Sequence, residues 1–265
     1  MVDTFAARVW SLHAYPIKGC AGTEVDKLAI SAYGPAHDRE FLIIRPDGKF
    51  LTQREFPRMA LIEPSLDGLA EGKLRLTAPG HDDLMVTFTT DGPQRLATVW
   101  KWTGTGVDQG DEVASWFSDF LGTEVRLVRF PPDMTRNTTV GGGQVRYADG
   151  YPILVTSTAS LDALNAQLDE ALPMDRFRPN VVVDGWRRPW TEDQVVDLPI
   201  GEVRLEIVKP CARCVVTTVD QRTAEKGREP LRTLGRTRRT EAGLIFGQNA
   251  VVRTPGTVRV ADRVC

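Results

Sequence analysis

Short apolar runs, each closed off by proline or glycine, recur along this chain. Runs of roughly four to eight residues suit strands and are too short for stable helices. RVWSLHAYPIKG starts apolar and breaks at Pro16 and Gly19, and DKLAISAYG follows. REFLIIRPDGKFLTQRE sets Pro46-Asp47-Gly48 between two apolar runs, a hairpin signal. KLRLTAPG and DLMVTFTTDG alternate, with Leu74/Leu76 and Leu84/Val86/Phe88 on one face. With 17 prolines and 23 glycines in 265 residues, turns are frequent enough to favour many short strands. Such a series is expected to close into a barrel or sandwich.

Helices interrupt the series in a few places. From Asp111 to Leu121, Val113, Trp116, Phe117 and Phe120 fall at helical spacing, with Asp108 or Gly110 near the cap. TEVRLVRF returns to strand. Residues 131–143 are rich in Pro, Thr, Asn and Gly, and read as a mobile loop at the boundary between two units. Beyond it, YPILVTS reads as a strand. A helix capped by Ser157 or Thr158 follows, with Leu161, Leu164, Leu168 and Leu172 on one stripe. FRPNVVVDG, the pair broken at Pro199-Ile200-Gly201, CVVTTVD, and the pair around Pro255-Gly256 read as strands, with a short helix at 230–234. The expected class is mainly β with a few helices (α+β), in two units spanning 1–130 and 131–265.

Composition excludes several roles. A hydrophobic fraction of 42% and a charged fraction of 26% are ordinary for a globular chain. A net charge of −2 supplies no global field toward a nucleic acid polymer or an anionic membrane. No apolar run approaches the roughly 18–20 residues of a membrane span. The first twenty residues lack a basic segment followed by an apolar one, so no secretory signal is expected and the cytoplasm is the expected compartment. The four cysteines, Cys20, Cys211, Cys214 and Cys265, are too few for a disulfide framework in a chain this long.

Cys211-Ala-Arg-Cys214 carries the most chemistry. Half of a zinc site is one reading, but the other cysteines and His13, His37 and His81 show no paired ligand spacing. A redox dithiol expects a helix directly after the pair, whereas the β-branched run 215–219 predicts a strand. A single thiolate at a strand end, with Arg213 beside it to favour the ionised form, can ligate a soft metal whose other positions a cofactor fills. Two half-buried thiols without a task remain the plainest alternative. Lys18 on a Pro/Gly turn, Arg39 at a strand entry and Arg178-Pro179-Asn180 before another strand supply cations where phosphates bind.

These pieces together resemble the MOSC domain proteins that carry an N-terminal MOSC β-barrel domain, and are similar to the mitochondrial amidoxime-reducing component and its bacterial relatives. The carrying segments are YPIKGC (15–20), HDREFLI with DGKFLTQRE (37–55), YADGYPILVTSTASLDALN (147–165), FRPNVVV (177–183), CARCVVTTVD (211–220), IFGQNAVV and PGTVRVAD. They span nearly the whole chain in family order. The resemblance implies an N-terminal β-barrel-like domain over 1–130, packed on a C-terminal MOSC β-barrel domain over 131–265. It implies a molybdenum cofactor (Mo-molybdopterin) whose metal is ligated by Cys214. Lys18, Gly19, Arg39, Arg178, Asn180, Ala212 and Arg213 would hold the pterin and its phosphate, and Asp149 would lie near the metal as a catalytic acid–base group. The sequence departs from its relatives at Gly19 and Ala212, where a serine hydroxyl is lost, and at Trp186, where a relative has a further cysteine.

The activity so implied is reduction of small N-hydroxylated substrates: amidoximes, hydroxylamines and N-hydroxylated bases. With Cys265 directly after the final strand, no further electron-carrying domain is expected, and no membrane-targeting leader is expected either. Electrons are therefore expected from a separate donor of ferredoxin or cytochrome b5 type, with its reductase. The rival readings are a molybdenum cofactor or sulfur carrier, or a metal–sulfur cluster assembly protein without redox turnover, and a metal-free binding module. MOSC domains also resemble the C-terminal part of cofactor sulfurases, but their pyridoxal-phosphate part has no counterpart here.

Overall fold

The computed structural model describes residues 7–265. Its largest sheet has eight strands. In spatial order they begin with Asp197–Ile200, Val203–Ala212, Gly243–Thr254 and Ile153–Ser157, and continue with Val181–Asp184, Arg8–Ala14 and Thr23–Val25. The short strand Arg239–Thr240 pairs with Gly243–Thr254. The turn at Gly201-Glu202 closes the first pair as a hairpin, with Ile200 opposite Val203. Among the described strands of this sheet only Ile153–Ser157 and Val181–Asp184 run parallel, a pairing that needs a crossover, and helix α2 (Thr158–Asn165) belongs to it. Val9, Leu12, Val155, Val181, Leu205 and Ala250 fill the apolar core of this sheet, and Trp186 joins them at 4% exposure.

A four-stranded sheet, ordered Phe41–Ile44, Arg126–Arg129, Trp102–Asp108, Gln94–Val99, belongs to the first half. Beside it stand Glu63–Pro64, Lys73–Ala78 and His81–Thr87, where Leu74 faces Val86 and Leu76 faces Leu84 as their alternation required. Helix α1 (Asp111–Leu121) turns Val113, Trp116, Phe117 and Phe120 onto this core. Gly110 caps it, with its N–H held by Asp108 Oδ1 at 2.9 Å, and Gly122 ends it at φ 68°. Asp111 and Glu112 place negative charge in its first turn.

The two halves interleave. Arg8–Ala14 pairs with Val181–Asp184, and Lys27–Ser31 pairs with Gly256–Arg259 near the C-terminus. These pairings bring the turns at residues 16–19 and 36–40 against the second half.

Two local expectations change. The leucine stripe at 161–172 overruns α2, which stops at Asn165. There the Asn165 amide bonds both the N–H and the C=O of Leu172 at 3.0 Å, closing a loop instead of another helical turn. The β-branched run after Cys214 is a 3-10 turn, Val215–Thr218, and not a strand. Thr217 Oγ1 donates to Cys214 O at 2.9 Å and Thr218 Oγ1 to Val215 O at 2.8 Å, and these bonds replace a sheet ladder.

Candidate functional site

All nine residues singled out from the sequence line one cavity: Lys18, Gly19, Arg39, Asp149, Arg178, Asn180, Ala212, Arg213 and Cys214. Cys211 joins them on its wall. Both thiols of the pair are half-buried, whereas Cys20 is sealed in the core, where burial pushes its thiol up to about 12.

Lys18 enters from the turn after the first strand. Its N–H is fixed to Phe41 O at 2.9 Å, and the turn is completed by Gly19 at φ 86°. A Cβ on Gly19 would stand 2.7 Å from Met59 Cε, so a serine would demand movement as well as a strained φ. Lys18 Nζ meets Asp149 Oδ1 at 2.5 Å, and the Trp100 indole N–H donates to the same oxygen at 2.9 Å. The Lys18 side chain is 10% exposed and that of Asp149 is 68%, so the pair runs from the interior to the mouth. Burial lowers the Lys18 ammonium from its usual value. Desolvation by the surrounding cavity walls would raise Asp149, but the ammonium and the indole N–H overcome it and hold the carboxyl well below the carboxylate range.

Behind this pair lies a cationic wall. Arg39, at φ 43°, grips both oxygens of buried Asp38 through Nη1 at 2.8 and 2.7 Å. Asn180 is 1% exposed and its amide is fully engaged inside the protein. Its Oδ1 accepts from Arg39 and from Leu154 N, and its Nδ2 donates to Asp38 and to His13 O. Asn180 is thus a strut that locks Arg39 and Asp38 across the halves. Arg39 and Arg178 both pack on the Tyr15 ring, 4.1 and 4.4 Å from its centroid. Burial pushes the Tyr15 phenol up to about 12, so it stays neutral between them, donating to Pro179 O at 3.0 Å.

Among the described residues, two donors in this wall lack partners. Arg178, at φ 55°, spends Nη1 on Gln221 Oε1 at 3.1 Å, while its buried Nη2 is unpaired. Burial lowers its guanidinium to about 10. Arg213 donates to Cys211 Sγ at 2.8 Å and to Phe177 O at 2.6 Å, and its buried Nε is unpaired. A buried charged donor left unpaired costs about 1–3 kcal/mol or more. An anionic ligand in the cavity removes that cost. A half-exposed thiol at Cys214, unpaired guanidinium donors and surrounding cations therefore fit a metal carried by an anionic pterin.

Other lining residues were not singled out by sequence reasoning. Gln53 exchanges side-chain amide bonds at 3.1 Å with Gln221, which lies outside the lining, and also holds Gly19 O at 2.7 Å. Phe50, Gln53 and Arg54 lie in the family-like segment DGKFLTQRE, which gave a signal for the region but none for their roles. Trp100 carried no local signal.

Models of known families match this chain twice: the MOSC N-terminal beta barrel domain over residues 6–124 and the MOSC domain over residues 142–265. Mitochondrial amidoxime-reducing component 1 of Mus musculus is 36% identical, covering 97% of this chain and 81% of its own length. The Homo sapiens protein of that name is 34% identical with the same coverage. Mitochondrial amidoxime reducing component 2 of Rattus norvegicus is 33% identical, covering 97% of this chain and 82% of its own. These names overturn the cytoplasmic expectation, since the relatives are mitochondrial and the N-terminal composition on which it rested does not decide a compartment. Among the described residues no helix is long and apolar enough to cross a membrane. With both domain models in order along the chain and relatives matched over most of their length, this protein belongs to the MOSC family with an N-terminal MOSC β-barrel domain, alongside the amidoxime-reducing components.

Proposed function

We propose that this protein reduces small N-hydroxylated compounds, using a molybdenum–pterin cofactor ligated by the Cys214 thiolate. Electrons come from a separate donor of ferredoxin or cytochrome b5 type. The observation that carries the reading is the convergence of Cys214 with buried, incompletely paired arginines in one cavity. Cys214 would hold the metal, and Arg178, Arg213, Arg39 and Lys18 the anionic pterin and its phosphate. When bound, the cofactor supplies two-electron acceptance of an oxygen atom from nitrogen.

The chain's own residues divide the remaining work. Asp149, ionised and open at the mouth, accepts a hydrogen bond from a substrate N–H or O–H and orients it. Lys18, made more acidic by burial and 2.5 Å from that carboxylate, is the adjoining proton donor for the departing oxygen. Arg39 and Asn180 tie the turn at 36–40 to the second-half wall through Asp38.

The test is benzamidoxime reduction by holoenzyme with a reconstituted donor, comparing the parent with Cys214→Ser. Loss of reduction in the variant supports the reading, and undiminished reduction overturns it. A carrier of the same cofactor is distinguished by transfer: a reductase retains its pterin through many turnovers, whereas a carrier passes it to an acceptor enzyme.

A further inference from the structure

The indole of Trp100 occupies a strained, half-exposed position in the lining of the cavity. It sits in the two-residue turn joining Gln94–Val99 to Trp102–Asp108, where Val99 pairs with Trp102. Its φ of 57° lies in the left-handed region, where a bulky residue is strained and where glycine or asparagine is the usual choice. The residue is 48% exposed, so burial of the ring does not offset that strain. Strain and an open aromatic surface together at a cavity mouth mark a place maintained for contact with something else.

Its neighbours say what that is. Phe50 stands edge-on to the indole, with centroids 5.0 Å apart and planes at 75°, and fixes its tilt. The Arg54 guanidinium backs the ring 4.4 Å from its centroid. The indole N–H and Lys18 both bind Oδ1 of Asp149, and Oδ2 has no partner among the described residues. The mouth therefore offers a half-exposed indole, backed by Arg54, and, tied to it by one hydrogen bond, a carboxylate oxygen without a partner among the described residues. A flat, conjugated molecule carrying an N–H or O–H donor at its edge satisfies both.

We infer that Trp100 is a specificity-determining residue, which with Asp149 Oδ2 selects planar conjugated substrates such as aryl amidoximes and N-hydroxylated heteroaromatic bases over aliphatic hydroxylamines. The inference rests on the proposed reductase activity and names the substrate class of that site. Stacking of one planar group on an aromatic side chain is worth about tenfold or more in affinity.

The experiment compares parent, Trp100→Leu and Trp100→Phe holoenzymes. The ratio of kcat/KM for benzamidoxime to that for N-hydroxycyclohexylamine falls about tenfold in Trp100→Leu. It stays within about threefold of the parent in Trp100→Phe, which keeps a ring. Binding of benzamidine, the flat product of benzamidoxime reduction, is measured by calorimetry on the same proteins and weakens about tenfold in Trp100→Leu. A specificity ratio and a benzamidine affinity both unmoved by Trp100→Leu overturn the inference, as does an equal fall for both substrates. If the parent reduces neither substrate, the reductase reading fails, and the benzamidine titration still decides whether the flat subsite exists.

Discussion

Arg136 is a buried cation whose removal has a calculable consequence. At 6% exposure it donates to three backbone carbonyls of the segment that presents Asp149: Arg146 O at 2.6 Å, Ala148 O at 2.7 Å and Asp149 O at 3.0 Å. Hydrogen bonds from a charged donor are worth about 2 kcal/mol apiece. Against them stands the burial of the charge, which lowers the guanidinium from 12.5 to about 10 and so costs about 3 kcal/mol. In Arg136→Met the bonds and the burial cost disappear together, leaving a net loss of about 3 kcal/mol. That corresponds to a fall of roughly 5–10 °C in Tm for a chain of this size. Urea and thermal unfolding of the variant measure it. Amide exchange across residues 146–149 shows whether the opening is local, with protection there falling before the rest of the sheet. Arg136→Lys, with one nitrogen for three carbonyls, falls between parent and methionine. A methionine variant within about 1 kcal/mol of the parent refutes the reasoning, because the carbonyls would then find other partners freely.

Two carboxylates give opposite pH signatures. Glu192 is fully buried, bonded by Ser157 and Ser160 at 2.9 Å, and burial raises it above 4.5, so the folded state holds a proton that the unfolded chain releases. Its contribution falls as pH climbs above about 4.5. Glu192→Gln therefore gains on the parent as pH rises above about 4.5 in urea titrations, and parallel curves would contradict this. Glu40 shows the reverse: burial would raise it, but His37 and Arg129, at 2.9 and 2.6 Å, bring it from 4.5 to about 2. Its contribution is complete above 4.5 and is lost as pH falls through 2. Glu40→Gln costs about 3 kcal/mol at pH 7 and flattens the acid limb of the stability profile, and an unchanged limb counts against the assignment.

Most strands were legible because their apolar residues alternate: Leu74, Leu76, Leu84 and Val86 meet across the hairpin their spacing implies. Helix α1 was equally readable from Val113, Trp116, Phe117 and Phe120, with Gly110 near its cap. What misled was propensity used as geometry. Val215 to Thr218 are strand formers by composition, yet two threonine hydroxyls bonding back to carbonyls hold a 3-10 turn. The site was legible as residue types in family order, and not as an arrangement. The pairing of Arg8–Ala14 with Val181–Asp184 is what carries Lys18 toward the cysteines, and no local pattern announces a contact across such a span. Asn180 reads as a polar group ahead of a strand, but its amide is consumed by four protein partners. Trp100 acquires meaning only from Asp149, 49 residues away.

The Cys214 thiolate as metal ligand is tested most directly by molybdenum-edge X-ray absorption on protein made in a pterin-competent host. The account predicts that Cys214→Ser shows one sulfur neighbour fewer around the metal than the parent, or retains no metal at all. A parent without molybdenum, or a variant with the parent's full sulfur shell, would contradict it.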